Sequence, residues 1–419
     1  MPTESIFLQI RVEEEKNLLT YLQDRINSPV IQKLLSVKDQ HLYGDVVASY
    51  LKGYSLLLSE KIGKEIFRKC KKVQDMLGFA DMKIQFYIAN NPQINAYSVF
   101  NVNYSEDDPH CIILNSGLLD KLDETELVFV IGHEMGHLFY EHSHLKRVIQ
   151  FIYPDENRMP GLLSNLYNLW LKLSEISADR IGLMATRAVE PAVSAMFRLS
   201  SGLSSNVLPF AYKEFMMSID GALEDVSRSP MDSRHSHPAF PIRIQALRLF
   251  CASQTYEDMV NDREVKEDNT LVEEMNKLVS FLKKYPSHDT ERAELDFLAS
   301  AGFYLMNCDE KVEEAEIDHL VNLLSQYLFY PQPYIKKLIE GNTVKDTLVK
   351  SASHIVERNP QRARNLFLAI LPLMMRDQKL DTKEVETALE IGAKYLKIPF
   401  DEVIDLALNG IRDLYSPFS

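Results

Sequence analysis

The sequence is short of cysteine, of long apolar runs and of positive charge, and each shortage excludes a class of protein. Cysteine occurs only at Cys70, Cys111, Cys251 and Cys308, and no two of them form a C-x-x-C pair. That spacing suits neither a disulfide framework nor a cysteine zinc site, and the four read as buried free thiols of a reducing compartment. The longest apolar runs, such as Leu127 to Ile131 and Leu366 to Met375, fall well short of the ~20 residues that a membrane-spanning helix needs. The opening MPTESIFLQIRVEEEK has neither the basic start nor the apolar centre of a signal peptide. A cytoplasmic protein without a transmembrane segment is therefore expected. The net charge of −14 argues against nucleic acid or an anionic membrane as the main partner. A content of 46% hydrophobic and 25% charged residues is that of an ordinary globular protein. At 419 residues the length suggests two or three domains.

What the sequence does have is the stretch Val130 to Tyr140, VIGHEMGHLFY, with His133, Glu134 and His137. Asp123 and Glu126 stand at capping-box spacing before the apolar run Leu127 to Ile131, which predicts a helix from about Asp123 through the motif. Residues four apart share a helix face, so the imidazoles of His133 and His137 can bind one zinc ion at about 2.0–2.1 Å each. Glu134 lies beside them, within reach of a proton on a metal-bound water without being a ligand itself. Gly132 and Gly136 are poor helix formers, each costing about 0.8–1 kcal/mol against alanine. They suggest that another backbone comes close.

A catalytic zinc site takes three protein ligands and keeps one position open. The best candidate for the third is Glu175, in LKLSEISADRI, within a segment of helical periodicity that includes Leu162, Leu166, Leu169, Trp170 and Leu173. Asp179 follows one turn later and can accept the free N–H of a ligating histidine, with His133 the expected one.

These residues resemble the gluzincin metallopeptidases of the HtpX and CAAX-prenyl-protease type, in which H-E-x-x-H is followed by E-x-x-x-D. Two further blocks carry the resemblance: Asn95-Ala96-Tyr97, similar to the family's N-A-F/Y segment, and Ser236-His237-Pro238 with Arg243, similar to its S-H-P…R segment. The resemblance spans about residues 60–250. It departs in that many members are integral membrane proteins. It implies a cleft whose edge strand, carrying Asn95, Ala96 and Tyr97, takes substrate as an added strand. It also places His237 beside the metal, where it can stabilise an oxyanion, and Arg243 near Asp179.

Around the motif, residues 1–78 read as mostly helical, with Leu51, Tyr54, Leu57 and Leu58 on one stripe. From Met82 the period changes to two, which predicts strands near Ile84–Ala89, Ala96–Val102 and Cys111–Leu114 in a small antiparallel sheet. His142 and His144 are read as residues favoured by the dipole at a helix C-terminus, without a catalytic role. Residues 181–203 continue the Glu175 helix, 206–235 show no regular pattern, and Ile242 to Leu249 reads as a helix.

Tyr256 to Lys277 is dense in charge and reads as a linker or an exposed helix, and 256–286 is taken as a charged linker between domains. Beyond it an internal repeat appears: Asp309-x-Lys311-Val312-Glu313-x-x-Glu316-Ile317 matches Asp377-x-Lys379-Leu380-Asp381-x-x-Glu384-Val385. Tyr327-Leu328 likewise matches Tyr395-Leu396, and Pro331 matches Pro399. This arrangement resembles the TerB-type helical domain. Its acidic turns either cap helices or, with their oxygen-rich side chains, hold a divalent cation.

The expectation is an α+β, mostly helical protein. A zincin-like domain over 1–255, with N-terminal helices in 1–60, precedes the linker and an all-helical repeat domain over 287–419. The expected activity is that of an endopeptidase with one zinc per chain, acting on a protein or peptide, and the helical domain is expected to regulate or target it through a protein partner. The alternative is a non-catalytic zinc-containing regulator or scaffold in a stress response.

Overall fold

The structure is a computed structural model. It describes residues 4–26, 29–38, 46–101, 109–155, 158–227, 237–266, 268–283, 289–308, 312, 314–375 and 382–414. The chain divides into two compact units, one of Met1–Arg158 with Leu166–Leu282 and one of Met159–Asn165 with Lys283–Ser419.

The first unit holds all four described strands: β1 (Ser55–Leu57), β2 (Ile84–Ala89), β3 (Ala96–Val99) and β4 (His110–Asn115), in the order β1-β2-β4-β3. The sheet is mixed, not antiparallel as expected. β2 and β4 run parallel, with Ile84 opposite His110 and Ala89 opposite Asn115, while β3 pairs antiparallel with the outer side of β4. The cause is the connection after β2. Ser116 Oγ donates to Asn91 O (3.1 Å), and Asn91 O also accepts from Gly117 N (2.9 Å). Asn115 N donates to Asn95 O (3.1 Å). The link is thereby pinned across the end of β4, and β3 lands on the far edge instead of beside β2.

β4 is central and buried along nearly its whole length, as a strand covered on both faces should be. Helix Val46–Tyr54 covers one face, packing Ala48 and Leu51 on Tyr87, Cys111 and Ile113. By alternation Ile112 and Leu114 point to the other face, where helix Glu124–Phe139 runs past β3 and β4. The expected helical stripe through Leu57 ends early, because Ser55–Leu57 pairs with β2 as an edge strand.

The Glu175 segment forms one long helix, Gly161–Thr186. It does not run on to residue 203: Arg187 takes a left-handed conformation (φ 55°), and a separate helix, Val189–Ser201, follows. The stretch 206–235, expected to be irregular, contains helix Tyr212–Ser227, with Met216 buried and Met217 exposed. Met231, His235 and Ser236 lie outside the described residues. The stretch read as a charged linker forms helices Gln254–Val260 and Asn269–Ser280. Glu257, Glu273 and Lys277 face outward, while Asp258 is buried together with Tyr256, Met259, Leu271, Met275, Leu278 and Val279.

The described residues of the second unit are helical throughout. Helices Asp289–Met306, Glu314–Leu324 and Pro331–Glu340 recur in the same order as Pro360–Ile370, Thr382–Glu390 and Phe400–Leu414, with Val344–Arg358 between the two sets. They share a core of Phe297, Leu320, Leu324, Phe367, Ile370 and Ile391, among others. The acidic residues of both turns, Asp309, Glu310, Glu313, Asp377 and Asp381, are outside the described residues.

Candidate metal centre

The motif helix, Glu124–Phe139, starts at a complete capping box. Asp123 accepts from Thr125 N (2.8 Å) and Glu126 N (2.9 Å), and Glu126 accepts in turn from Asp123 N (2.8 Å). Such a cap is worth about 1 kcal/mol. Glu126 is buried and also accepts from Ser194 Oγ, with Arg198 Nε at 3.4 Å, so the helix is held at its start by the neighbouring helix as well.

Its glycines set the distance to the long helix. A Cβ on Gly136 would stand 2.9 Å from Ala178 Cα, and one on Gly132 would stand 2.8 Å from Ala185 Cβ. The two helices therefore approach backbone to backbone at the residue just before each histidine. That closeness carries Glu175 to them.

His133 Nε2 and His137 Nε2 are 3.1 Å apart. Glu175 Oε2 is 3.5 Å from the former, and Oε1 is 3.3 Å from the latter. These ligand atoms all lie within 4.8 Å of one another. Glu134 is buried and lines the same cleft, a space of about 690 Å³ reached by Asn95, Ala96, Tyr97 and Ser98 from β3 on one side and by His237 on another. His237 Nε2 is 3.5 Å from Glu175 Oε1, on a side chain that is 63% exposed. Glu175 draws its pKa upward, but burial together with Arg243, His133 and Lys146 leaves it below the ordinary value.

Behind these three side chains, His133 Nδ1 lies 2.9 Å from Asp179 Oδ1. Asp179 takes a two-pronged contact from Arg243, with Nε–Oδ2 at 2.8 Å and Nη2–Oδ1 at 2.6 Å. Arg243 Nη1 reaches Glu175 Oε2 at 3.7 Å. It comes from helix Phe240–Cys251, which begins with a proline in its first turn just after His237. Burial alone would raise the Asp179 pKa, but Arg243 and His133 outweigh it and hold the group below the usual carboxylate range. Burial disfavours a charged His133, yet Asp179 and Glu175 outweigh that too and lift its pKa to about 10.

His142 was not expected to take part. Glu141 adopts a left-handed conformation (φ 54°), which closes the motif helix and opens a second one at His142–Ile152. His142 thus stands at a helix start instead of a helix end. It is turned back under the motif, buried, with Nδ1 2.7 Å from His137 Nδ1. Its Nε2 faces Glu15 Oε1 at 3.4 Å. Glu15 is wholly buried and accepts from Arg11 Nε (2.8 Å), Arg11 Nη2 (2.6 Å) and Ser177 Oγ (2.8 Å). Burial would raise its pKa, but His142 and Arg11 bring it to about 2. Burial holds His142 low, at about 4, in spite of Glu15.

The N-terminal segment that supplies Glu15 is well anchored. Phe7 packs on Phe79 and Phe139 with ring centroids 5.2 and 5.9 Å away, contacts worth about 0.5–1.5 kcal/mol each beyond area burial. Tyr140 Oη donates to Phe7 O (2.7 Å) and Arg180 Nη1 to Ile10 O (2.7 Å). Val12 N donates to Ser177 Oγ (3.1 Å).

The donor set suits a divalent metal. Two imidazoles and a carboxylate converge on one point, and among the described residues the three acids Glu134, Glu175 and Asp179 stand with Arg243 and, at the cleft wall, Lys146, an imbalance that a doubly charged ion corrects. The mixture of nitrogen and oxygen ligands is one that zinc takes.

Residues 61–154 match the model of the family described as Peptidase family M48. The matched stretch takes in β2 to β4 and the motif helix, and it ends before Glu175. The chain is also similar to the plastoglobule-localized metallopeptidase 48, chloroplastic, of Arabidopsis thaliana, at 22% identity over 227 residues. That alignment covers 49% of this chain and 65% of the relative, so the chain spans a little under two thirds of the relative's length. No solved structure matches. Among the described residues no helix is long and apolar enough to cross a membrane.

Proposed function

We propose that this chain is a zinc-dependent endopeptidase of the HtpX and CAAX-prenyl-protease type, with a zincin-like fold in its first unit. The observation that carries the reading is the convergence of His133, His137 and Glu175 in one cleft with Glu134, beside the free edge of β3. The match to Peptidase family M48 supports it.

His133, His137 and Glu175 would hold one zinc ion, which would supply Lewis-acid polarisation of a carbonyl and lower the pKa of water. The chain's own groups do the rest. β3 pairs its edge with an extended peptide, Asn95 to Ser98 aligning the peptide backbone along the cleft. Glu134 lines the cleft from the motif helix. Its carboxylate takes a proton from the attacking water and returns it to the departing amine. His237, exposed at the cleft, donates to the oxyanion as the carbonyl carbon becomes tetrahedral. Asp179 and Arg243 keep the ring of His133 in place.

The test combines zinc content with cleavage of a mixed peptide library. Wild type should carry one zinc per chain and cut peptides. Glu134→Gln should keep its zinc and lose about 10²–10⁴-fold in rate. Full activity in Glu134→Gln would overturn the mechanism, and a zinc-loaded wild type that cuts nothing would overturn the endopeptidase reading.

The second unit, with its likeness to TerB-type domains, regulates or targets the peptidase through a protein partner in this reading. The residues assigned to the chemistry, Asn95 to Arg243, all belong to the first unit. A fragment ending near residue 285 should bind zinc and cleave short peptides, while its rate on folded substrates differs from that of the full chain. A soluble, zinc-loaded but inactive fragment would overturn this division of labour. Cytoplasmic location belongs to the same proposal. It is supported by the free thiols, and fractionation of cells would test it.

A further inference from the structure

Resting on the metal reading above, we infer that His142 and Glu15 are positioning residues for His137, forming a relay in which a buried carboxylate acts on a metal ligand through a second imidazole. The relay lies outside the ligand set. Glu15 comes from the N-terminal segment and His142 from the helix after the motif.

The geometry fixes every hydrogen along it. His137 Nε2 faces Glu175 and His133 Nε2, so its lone pair is the one available to an ion. A neutral imidazole that gives up its Nε2 lone pair carries its hydrogen on Nδ1. That hydrogen points at His142 Nδ1, 2.7 Å away, which must then be the acceptor. His142 therefore carries its own hydrogen on Nε2. Among the described residues that atom has no hydrogen-bond partner, and the nearest carboxylate oxygen is Glu15 Oε1 at 3.4 Å. Starting from the other end gives the same answer. An ionised Glu15 can only accept, so the His142 nitrogen that faces it, Nε2, is the one that carries the hydrogen, which leaves Nδ1 to accept the Nδ1 hydrogen of His137. The two ends demand one and the same tautomer at each ring.

The surroundings hold the relay still. Glu15 is kept in place by both donors of Arg11 and by Ser177, which sits two residues beyond Glu175 on the long helix. Trp170 stands edge-on to the His142 ring, with centroids 5.7 Å apart. Were Arg11 and Glu15 merely a clasp for the N-terminal helices, neither would need an imidazole aimed from Glu15 at the back of a ligand. Support of this kind fixes the ligand's tautomer and orientation and raises its basicity, and losing it typically weakens a metal site by about 10–100-fold.

The test is zinc affinity of the purified full chain, measured by competition with a chelator, with thermal unfolding of the zinc-free proteins run in parallel. His142→Leu should bind zinc about 10–100-fold more weakly. His142→Asn, whose Oδ1 can take the place of Nδ1 as acceptor, should recover most of that loss. A filler of space would give no such difference between Leu and Asn. Glu15→Gln nearly preserves shape, and it should weaken zinc by about 10-fold. If His142→Leu fails to fold, the Glu15→Gln and His142→Asn proteins decide: unchanged affinity in Glu15→Gln overturns the relay, and so does a His142→Asn as weak as a histidine-ligand knockout. Wild-type affinity in a folded His142→Leu overturns it too. A wild type that binds no zinc sinks the metal reading itself. A wild type that binds zinc without cutting peptides sinks only the proposed activity, because the relay is read from affinity alone.

Discussion

The two histidines of the motif are supported in different ways. Behind His133 a carboxylate stands in direct contact, 2.9 Å away, and a guanidinium braces it. Behind His137 the order is imidazole, carboxylate, guanidinium, with His142 interposed before Glu15 and Arg11. The His133 support is drawn from the long helix and the helix after His237, whereas the His137 support comes from the N-terminal segment. Both end in a two-pronged Arg–carboxylate pair whose carboxylate is buried, the geometry in which a charged acceptor is held most firmly. The difference lies in reach. A motif helix presents its two imidazoles a turn apart; both meet Glu175 with Nε2, but Asp179 one turn further on meets the Nδ1 of His133. The Nδ1 of His137 must find its carboxylate elsewhere, and a second imidazole spans the gap.

The largest effect to expect treats the two sides alike. His133→Ala and His137→Ala should both leave the protein without zinc after gel filtration. Full occupancy in either would show that one support is idle. Asp179→Ala should cost about 10–100-fold in zinc affinity by chelator titration, toward the upper end because the contact is direct and Arg243 is left buried without its partner. An unchanged affinity would reduce Asp179 to a structural acid. The double variant Asp179→Asn with Glu15→Gln sharpens the comparison: the free-energy losses should add to within about 0.5 kcal/mol if the supports are independent. A clear departure would mean that they act as one network through the shared metal. The smallest effect belongs to Arg243→Lys, which keeps the charge but loses the fork. Less than about 10-fold in zinc affinity is expected, and a larger loss would mean that Arg243 also orders Glu175.

The His133 side was legible in the sequence and the His137 side was not, for a physical reason. His133, His137, Glu175 and Asp179 sit at i,i+4 spacings on helices whose apolar periodicity is plain, so their faces follow from 3.6 residues per turn. Arg243 and His237 were reached through the family resemblance. Glu15 carries no local signal: in E-E-E-K it looks like its neighbours Glu13 and Glu14, and only burial against Ser177, 162 positions away, sets it apart. His142 was misplaced because the left-handed turn at Glu141 ends one helix and starts another without a glycine to mark it. The sheet failed at the same level. The alternation of Ile84, Phe86 and Ile88 is enough to make a strand, but nothing local says that β3 crosses to the far side of β4. Helices Gln254–Val260 and Asn269–Ser280 were hidden by their charge, since the apolar faces that bury them are narrow.

The scattering of these supports along the chain has a consequence for the protein while it is being made. Glu15 leaves the ribosome long before the motif and is waiting when His137 and His142 appear. Arg243 arrives last, 64 residues after the aspartate it braces. At about 5–20 residues per second that gap amounts to roughly 3–13 seconds. During that interval the nascent chain has the proposed ligands but lacks the brace behind His133. A centre finished by its last-made residue is immature for as long as its own synthesis lasts, so a polypeptide abandoned before Arg243 should be a poor holder of zinc.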